Sequence, residues 1–294
     1  MSVESEAALP ATRAWARPRR LRIRPARILR QLVLLVGLVV VLFPIYFMIT
    51  TALKSREDYL LSLLSFPWPF EWGNFADATR GGTFGRWFTN STIFALGSTI
   101  SSTLVAALGA FAIARMDFRG RSVLASVSAA LMIVPPVVMI IPLFVLFTNL
   151  SLVGTYPGVI LIYAGLTIPF SVYMLTTFFR SIPKELIESA VIDGASHVRV
   201  LWRIVAPLSA PALVTLIVVN TLWVWNDLLI ALVFLPSDEL KTLMVGITVF
   251  RSRYNLDVPV TMAGMLLAAL PMAVVYLFGQ RFFIRGLTAG ALKG

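Results

Sequence analysis

Residues 181–211 read SIPKELIESAVIDGASHVRVLWRIVAPLSAP, a charged, amphipathic stretch set between two long apolar runs. Ser181 and Pro183 suit a helix start, with Lys184 and Glu185 following in the first turn. Leu186, Ile187, Ala190, Val191 and Ala195 recur at helical spacing, while Glu185, Glu188 and Asp193 fall toward the polar sector. Gly194 follows this short helix where a left-handed or tight turn asks for a residue without Cβ. A second amphipathic piece runs from about Ser196 to Val205 and ends before Pro207. Two short helices joined at a glycine make a compact protrusion, stiff enough to transmit a push. The same pattern also fits an amphipathic pair lying flat on a membrane surface, and composition alone does not separate the two.

Outside this stretch the chain is too apolar for an ordinary soluble domain. It is 58% hydrophobic and 13% charged with a mean hydropathy of +0.86, against about 25% charged residues in soluble domains. Apolar runs of roughly twenty residues read as membrane-spanning helices. Six are expected, over about 31–53, 91–114, 123–148, 156–179, 211–235 and 261–283. Pro135, Pro136 and Pro142 interrupt the third, and Pro157 and Pro169 the fourth; such breaks are tolerated where neighbours or a lined cavity satisfy the freed backbone groups. The expectation is an all-α membrane protein of six transmembrane helices.

With six spans both termini share one side. That side holds most of the 25 Lys and Arg residues, among them the arm Arg13–Arg30, Arg115, Arg119, Arg121 and the basic residues of 181–211. Basic residues favour cytoplasmic loops, so both termini and the 181–211 loop are expected inside. The net charge of +11 is thereby a topology signal, not a nucleic-acid one, and the arginine-rich arm is placed to touch anionic membrane lipid. The first span is longer than a secretory signal core and lacks a small-x-small cleavage pattern, so it reads as a retained anchor. The resulting order is a basic cytoplasmic arm (1–30), a first helix (31–53), an extracytoplasmic loop (54–90), a five-helix core (91–283) and a cytoplasmic tail (284–294).

Several chemistries are excluded. The chain has no cysteine and one histidine, His197, which removes disulfides, thiol catalysis and multi-histidine metal sites. It has no G-x-x-x-x-G-K-[ST], so it does not bind ATP through a P-loop of its own, and no G-x-S-x-G. No catalytic or metal-ligating residues are assigned. In the first extracytoplasmic loop, PWPFEWGNF places Trp68, Phe70 and Trp72 at the interface, where aromatic rings settle at headgroup level. The loop near 236–260 is polar with balanced charge and reads as solvated.

The loop's spacing, E-x-A-x3-G-x9-I-x-x-P through Glu188, Ala190, Gly194, Ile204 and Pro207, resembles the cytoplasmic EAA loop of ABC-importer permeases. Ser189 replaces the family's second alanine and Ala206 the leucine before the proline. The likeness continues in FPIYFMITTALK (43–54), NLSLVGTYPGVIL (149–161), TLWVWNDLLIAL (221–232) and the ending Q-R-x-F-x-x-G-L-T-A-G-A-x-K-G (280–294). These blocks are similar to carbohydrate permeases of the kind found as the smaller membrane subunit of maltose-type importers, over about residues 35–294. The resemblance implies a type I importer permease fold in a bacterial or archaeal cytoplasmic membrane. It also implies ATP-driven alternating access and, as partners, a second homologous permease, two ATP-binding cassette subunits and an extracytoplasmic sugar-binding protein. This chain would bind no cofactor, ATP and Mg belonging to the ATPases. Glu188, Ala190, Asp193, Gly194, Ile204 and Pro207 would form the ATPase-coupling surface. The glycine-bearing tail either frays or reaches toward the ATPases.

Asp227 is the acidic residue placed within a span. Asn220, Trp223 and Asp227, at i, i+3 and i+7, are expected on one helical face with Asn226 about a quarter-turn away. An intramembrane charge marks function by default. These four residues are candidates either for the substrate pathway, with a tryptophan against a sugar ring, or for helix packing and gating. The rival outside the family is an ion-driven secondary transporter, which would need a carboxylate relay; a membrane scaffold without transport is a third reading.

Overall fold

The computed structural model describes residues 25–80, 82–253 and 257–291, and these are helical with no strand among them. The chain divides into two units, residues 1–46 and 47–294. The first consists, in its described part, of most of helix α1 (Pro25–Ala52). Its side chains from Leu29 to Tyr46 are exposed, and nearly all are apolar. A helix apolar all round belongs in a bilayer.

The second unit is built on α4 (Thr83–Arg115) and α7 (Tyr156–Ser181). These two run parallel, because contacts advance together along both: Asn90 meets Tyr156, Gly97 meets Ile160, Gly109 meets Val172 and Arg115 meets Phe179. The buried face of α4 is a stripe of small residues, with Ser98, Ser102, Ala106, Ala110 and Ala114 among them. Small residues let helix backbones approach closely; a Cβ on Gly97 would lie 2.9 Å from Ile160 Cδ1. Helix α11 (Ala210–Asn226) packs antiparallel to α4, with Thr221 on Thr99 and Trp225 on Phe88. Helix α14 (Val258–Ala291) packs antiparallel to α11, with Ala268 on Trp225 and Gly279 on Val218.

Between these lie shorter elements: α2 (Arg56–Leu61), α3 (Gly73–Thr79), α5 (Arg121–Leu131), α6 (Pro136–Asn149), α8 (Lys184–Ile192) and α9 (His197–Val200). A π-helical turn (Leu201–Val205) leads into α10 (Ala206–Leu208), and α12 (Leu229–Phe234) and α13 (Leu243–Arg253) precede α14. Two core clusters fill the unit. One, at the Asn90 end, gathers Phe94, Tyr163, Trp225 and Phe234; the other, at the Arg115 end, gathers Phe111, Leu175, Phe179 and Leu216.

Among the described residues four helices are long and apolar enough to span a membrane, and up to six spans are reached if each of two bent pairs counts as one. The expected third span, 123–148, is a bent pair: α5 and α6 meet at 106° across Met132–Pro135, where Pro135 and Pro136 remove consecutive backbone donors. The expected fifth span, 211–235, is broken at Asp227 and Leu228. The loop 236–260, read as solvated, contains α13, whose Leu243, Val245 and Ile247 are buried. The proposed boundary at 284 is not a break, since the α14 backbone continues to Ala291. Residues 1–24, which hold most of the basic arm, and 292–294 lie outside the described residues.

Candidate functional site

The 182–209 segment folds as two short helices around Gly194, as its pattern predicts. Helix α8 ends in a paired carbonyl cap. Gly194 N donates to Val191 O at 3.0 Å and Ala195 N to Ala190 O at 2.9 Å, with Gly194 at φ +82°. That left-handed corner is the reason for glycine: it carries the chain round while satisfying carbonyls the helix leaves open. The next helix starts at Ser196, whose Oγ accepts from Arg199 N at 3.4 Å.

The second half runs into the π turn, where Ala206 N donates to Leu201 O, five residues back. Pro207 explains the wide turn. It has no N–H to offer Arg203 O, and in a regular α-helix its ring would press on that carbonyl. Widening the helix one turn earlier lets the chain pass through the proline, and π turns of this sort concentrate at functional positions.

The protrusion is rooted in the helix bundle. Ile187, Val200, Leu201 and Val205 are buried in the Arg115-end core, with Ala190, Ala195 and Ile204 packed partly against it. At the base, Arg115 Nη2 donates to both Phe179 O and Ile182 O, tying the end of α4 to the exit of α7. The six proposed coupling residues therefore divide. Ala190 and Ile204 face inward, while Glu188, Asp193, Gly194 and Pro207 are exposed. Exposed apolar side chains flank the acidic ones: Ile192 at 84%, with Leu186, Val198 and Trp202. Sequence reading placed Leu186 on the buried face and missed both the apolar tip and the Arg115 tie. Ile192, adjacent to Asp193 at the helix end, was the available signal for the tip.

The second group gathers only in part. Helix α11 ends at Asn226, and Asp227 sits at its C-terminal boundary with ψ 133°, so the i, i+7 face does not reach it. The Asp227 carboxylate instead caps the start of α12. Its Oδ2 accepts from Ile230 N at 3.0 Å, Ala231 N at 3.2 Å and Tyr163 Oη at 2.8 Å. A short acidic side chain that bonds the backbone ahead of it competes with helix continuation, which is why the span breaks here. Trp223 stands edge-on to Tyr163, with ring centroids 6.0 Å apart. Asn226 is exposed and donates to Leu222 O at 2.7 Å.

Asn220 and Trp223 border a half-open cavity of about 580 Å³ between the α5–α6 bend, α7 and α11, walled chiefly by Leu131, Met139, Phe147 and Ile162. Neither Asn226 nor Asp227 lines it. Asn220 Nδ2 donates to Ser171 Oγ at 3.0 Å, and Ser171 Oγ donates to Thr167 O at 2.7 Å. Asn220 therefore belongs both to the seam between α7 and α11 and to the cavity wall. Among the described residues no cluster of His, Asp and Glu could hold a metal.

Residues 102–284 match the family model described as the binding-protein-dependent transport system inner membrane component. A putative ABC transporter permease of Caldicellulosiruptor sp. (strain Rt8B.4) is 37% identical over 252 residues, covering 85% of this chain and 91% of that one. The melibiose/raffinose/stachyose import permease MelC of Bacillus subtilis (strain 168) is 31% identical over 252 residues, 85% of this chain and 91% of its own. The architecture superposes on a chain of a bacterial ABC transporter that imports the polysaccharide alginate. The TM-score is 0.80 at 21% identity, over 91% of this chain and all of that chain; at that identity the likeness speaks for the fold.

Proposed function

This chain belongs to the family of inner membrane components of binding-protein-dependent transport systems, and from that premise we propose that it is a permease subunit of an ATP-driven carbohydrate importer. Family and apolar helices together make it a multi-pass membrane protein. It forms half of the translocation pathway beside a second, homologous permease, with both termini and the 181–211 loop in the cytoplasm. An extracytoplasmic binding protein delivers the sugar, and two ATPase subunits hold ATP and Mg. Relatives named for melibiose, raffinose and stachyose import and for arabinooligosaccharide transport support a sugar cargo.

The observation that carries the mechanism is the rooting of the protrusion. Its exposed acidic and apolar tip is joined through Ile187, Leu201 and Val205 to the same core that holds α4, α7 and α11. A force applied at Glu188, Asp193 or Gly194 is thus delivered to packed helices. An amphipathic pair floating on lipid would dissipate it. ATP-driven closure of the ATPases moves the protrusions and opens the pathway outward, and hydrolysis resets it. Asn220 and Trp223, on the cavity wall, form this chain's share of the pathway, with the Trp223 ring offering an apolar face to a sugar. This chain carries out no covalent step. The ion-driven alternative would need a carboxylate relay, for which the single Asp227, here bonded to the start of α12, is thin material.

The test is purification of the tagged chain in mild detergent with mass spectrometry of its companions, followed by reconstitution and oligosaccharide uptake. Co-purification of an ATPase and a second permease, with uptake requiring ATP, is expected. A chain that purifies alone, with uptake abolished by collapsing the proton gradient, would overturn the reading.

A further inference from the structure

A second surface is left unused by transport as described above. Residues 59–70, YLLSLLSFPWPF, contain no Asp, Glu, Lys or Arg, yet Arg56, Glu57 and Asp58 precede them and Glu71 follows. The apolar side chains point outward: Leu61 is 85% and Trp68 76% exposed, and Leu60, Leu63, Leu64, Phe66 and Trp72 are exposed too. The rings brace one another edge-on. Phe70 lies 5.9 Å from Phe66, 5.5 Å from Trp68 and 6.2 Å from Trp72 between centroids.

This strap is not a loose loop. The Lys54 side chain is wholly buried, and its Nζ donates to Ser62 O at 2.8 Å and Leu63 O at 2.9 Å. Glu71 N donates to Leu53 O at 2.9 Å, and Asn74 Nδ2 to Ala52 O at 2.9 Å and Lys54 O at 2.8 Å. Both ends of the strap are therefore pinned to residues 52–54, where the apolar helix α1 ends. A lysine just beyond a span ordinarily offers its ammonium to headgroups or water. Here the ammonium turns inward and the strap presents an uncharged aromatic and aliphatic surface in its place.

We propose that residues 60–72 form a rigid anchor seated in the headgroup layer of the membrane leaflet at which α1 ends, with Lys54 as the clasp that sets its position. The occupant is lipid for two reasons. The surface continues directly from the end of a membrane-spanning helix, and its make-up, Trp and Phe beside Leu with charges only at its two margins, is that of side chains that settle at the bilayer interface. The anchor holds the start of the extracytoplasmic segment against the bilayer while the helices behind it move.

The chain has no cysteine, so single labels are readily placed. Leu61→Cys, Trp68→Cys and, as an aqueous reference, Glu239→Cys carry a nitroxide in the full transporter, reconstituted in nanodiscs of phosphatidylethanolamine and phosphatidylglycerol. Relaxation by oxygen and by a water-soluble nickel chelate is compared. Greater oxygen than nickel access at 61 and 68, with the reverse at 239, is expected. Water-like values at 61 and 68 would overturn the anchor. So would labels that lose access to both reagents only when the binding protein is added, because a protein surface would then be the occupant. Lys54→Met should reduce the oxygen preference at 68; an unchanged value would remove the clasp from the account. All three labels sit on exposed side chains, and uptake measured on the same samples keeps failure of the anchor distinct from failure of the transport reading.

Discussion

Replacing Gly194 separates backbone geometry from surface contact at the coupling protrusion. Gly194 holds φ +82°, and a Cβ built there meets nothing within 4 Å. Any cost of a side chain inside this chain is therefore conformational. An L-residue in the left-handed region costs about 1–2 kcal/mol, a shift of roughly 5- to 30-fold in the population of the intact turn. Asn relieves most of that cost because its side chain tolerates the left-handed region, and β-branched Val raises it. The assay is binding-protein-stimulated ATP hydrolysis and oligosaccharide uptake in proteoliposomes, with the amount of inserted chain measured alongside. The predicted order of coupling is Gly194→Asn nearest the parent, Gly194→Ala lower and Gly194→Val lowest, with insertion unchanged. If the loss instead follows side-chain volume, with Ala milder than Asn, then the exposed face against a partner limits coupling and the turn-strain argument is wrong.

Glu188→Lys reverses an exposed charge at the tip and is expected to abolish uptake while the chain still inserts and assembles with its partner permease; retained uptake would remove Glu188 from the dock. Asp227→Ala takes the cap from α12 and should cost about 1–2 kcal/mol, seen as a lower thermal midpoint of the detergent-solubilised complex. Asp227→Asn, which keeps an acceptor oxygen, should cost less. Gly246→Ala would set a Cβ 2.2 Å from Trp87 Cδ2 and Cε3, an overpacking worth about 1–3 kcal/mol. Adding Trp87→Leu should recover part of that loss, and no recovery would show that the close approach is not its source.

The apolar spans and the loop between two of them were legible because each depends on short-range information. A run of about twenty apolar residues commits its segment to lipid whatever the neighbours do. The turn at Gly194 and the helix start at Ser196 follow from local backbone chemistry, and the structure shows both. The halt expected before Pro207 is instead a π turn through which the helix continues to Leu208. The carboxylate at 227 was recognised as a special residue but placed on the wrong element. Its effect depends on Tyr163, 64 positions away, and on donors of the helix after it. The outer loop misled for the same reason. Its polar composition gave no sign that Asn90 Nδ2 donates to Glu239 O at 2.8 Å and Lys241 O at 3.0 Å and holds it to α4.

By itself the sequence determined that the chain crosses a membrane several times and that a charged glycine-hinged hairpin interrupts the apolar runs. These follow from the cost of placing charges and bare backbone groups in hydrocarbon, a cost paid residue by residue. Tertiary structure alone decided that α4 and α7 run parallel along a stripe of small residues and that the hairpin is rooted in their core. It also decided that Lys54 turns inward to hold an aromatic strap. In lipid, apolar helix faces look alike to the solvent, so partners are chosen by close packing and a few interhelical hydrogen bonds. Those terms exist only once distant segments meet.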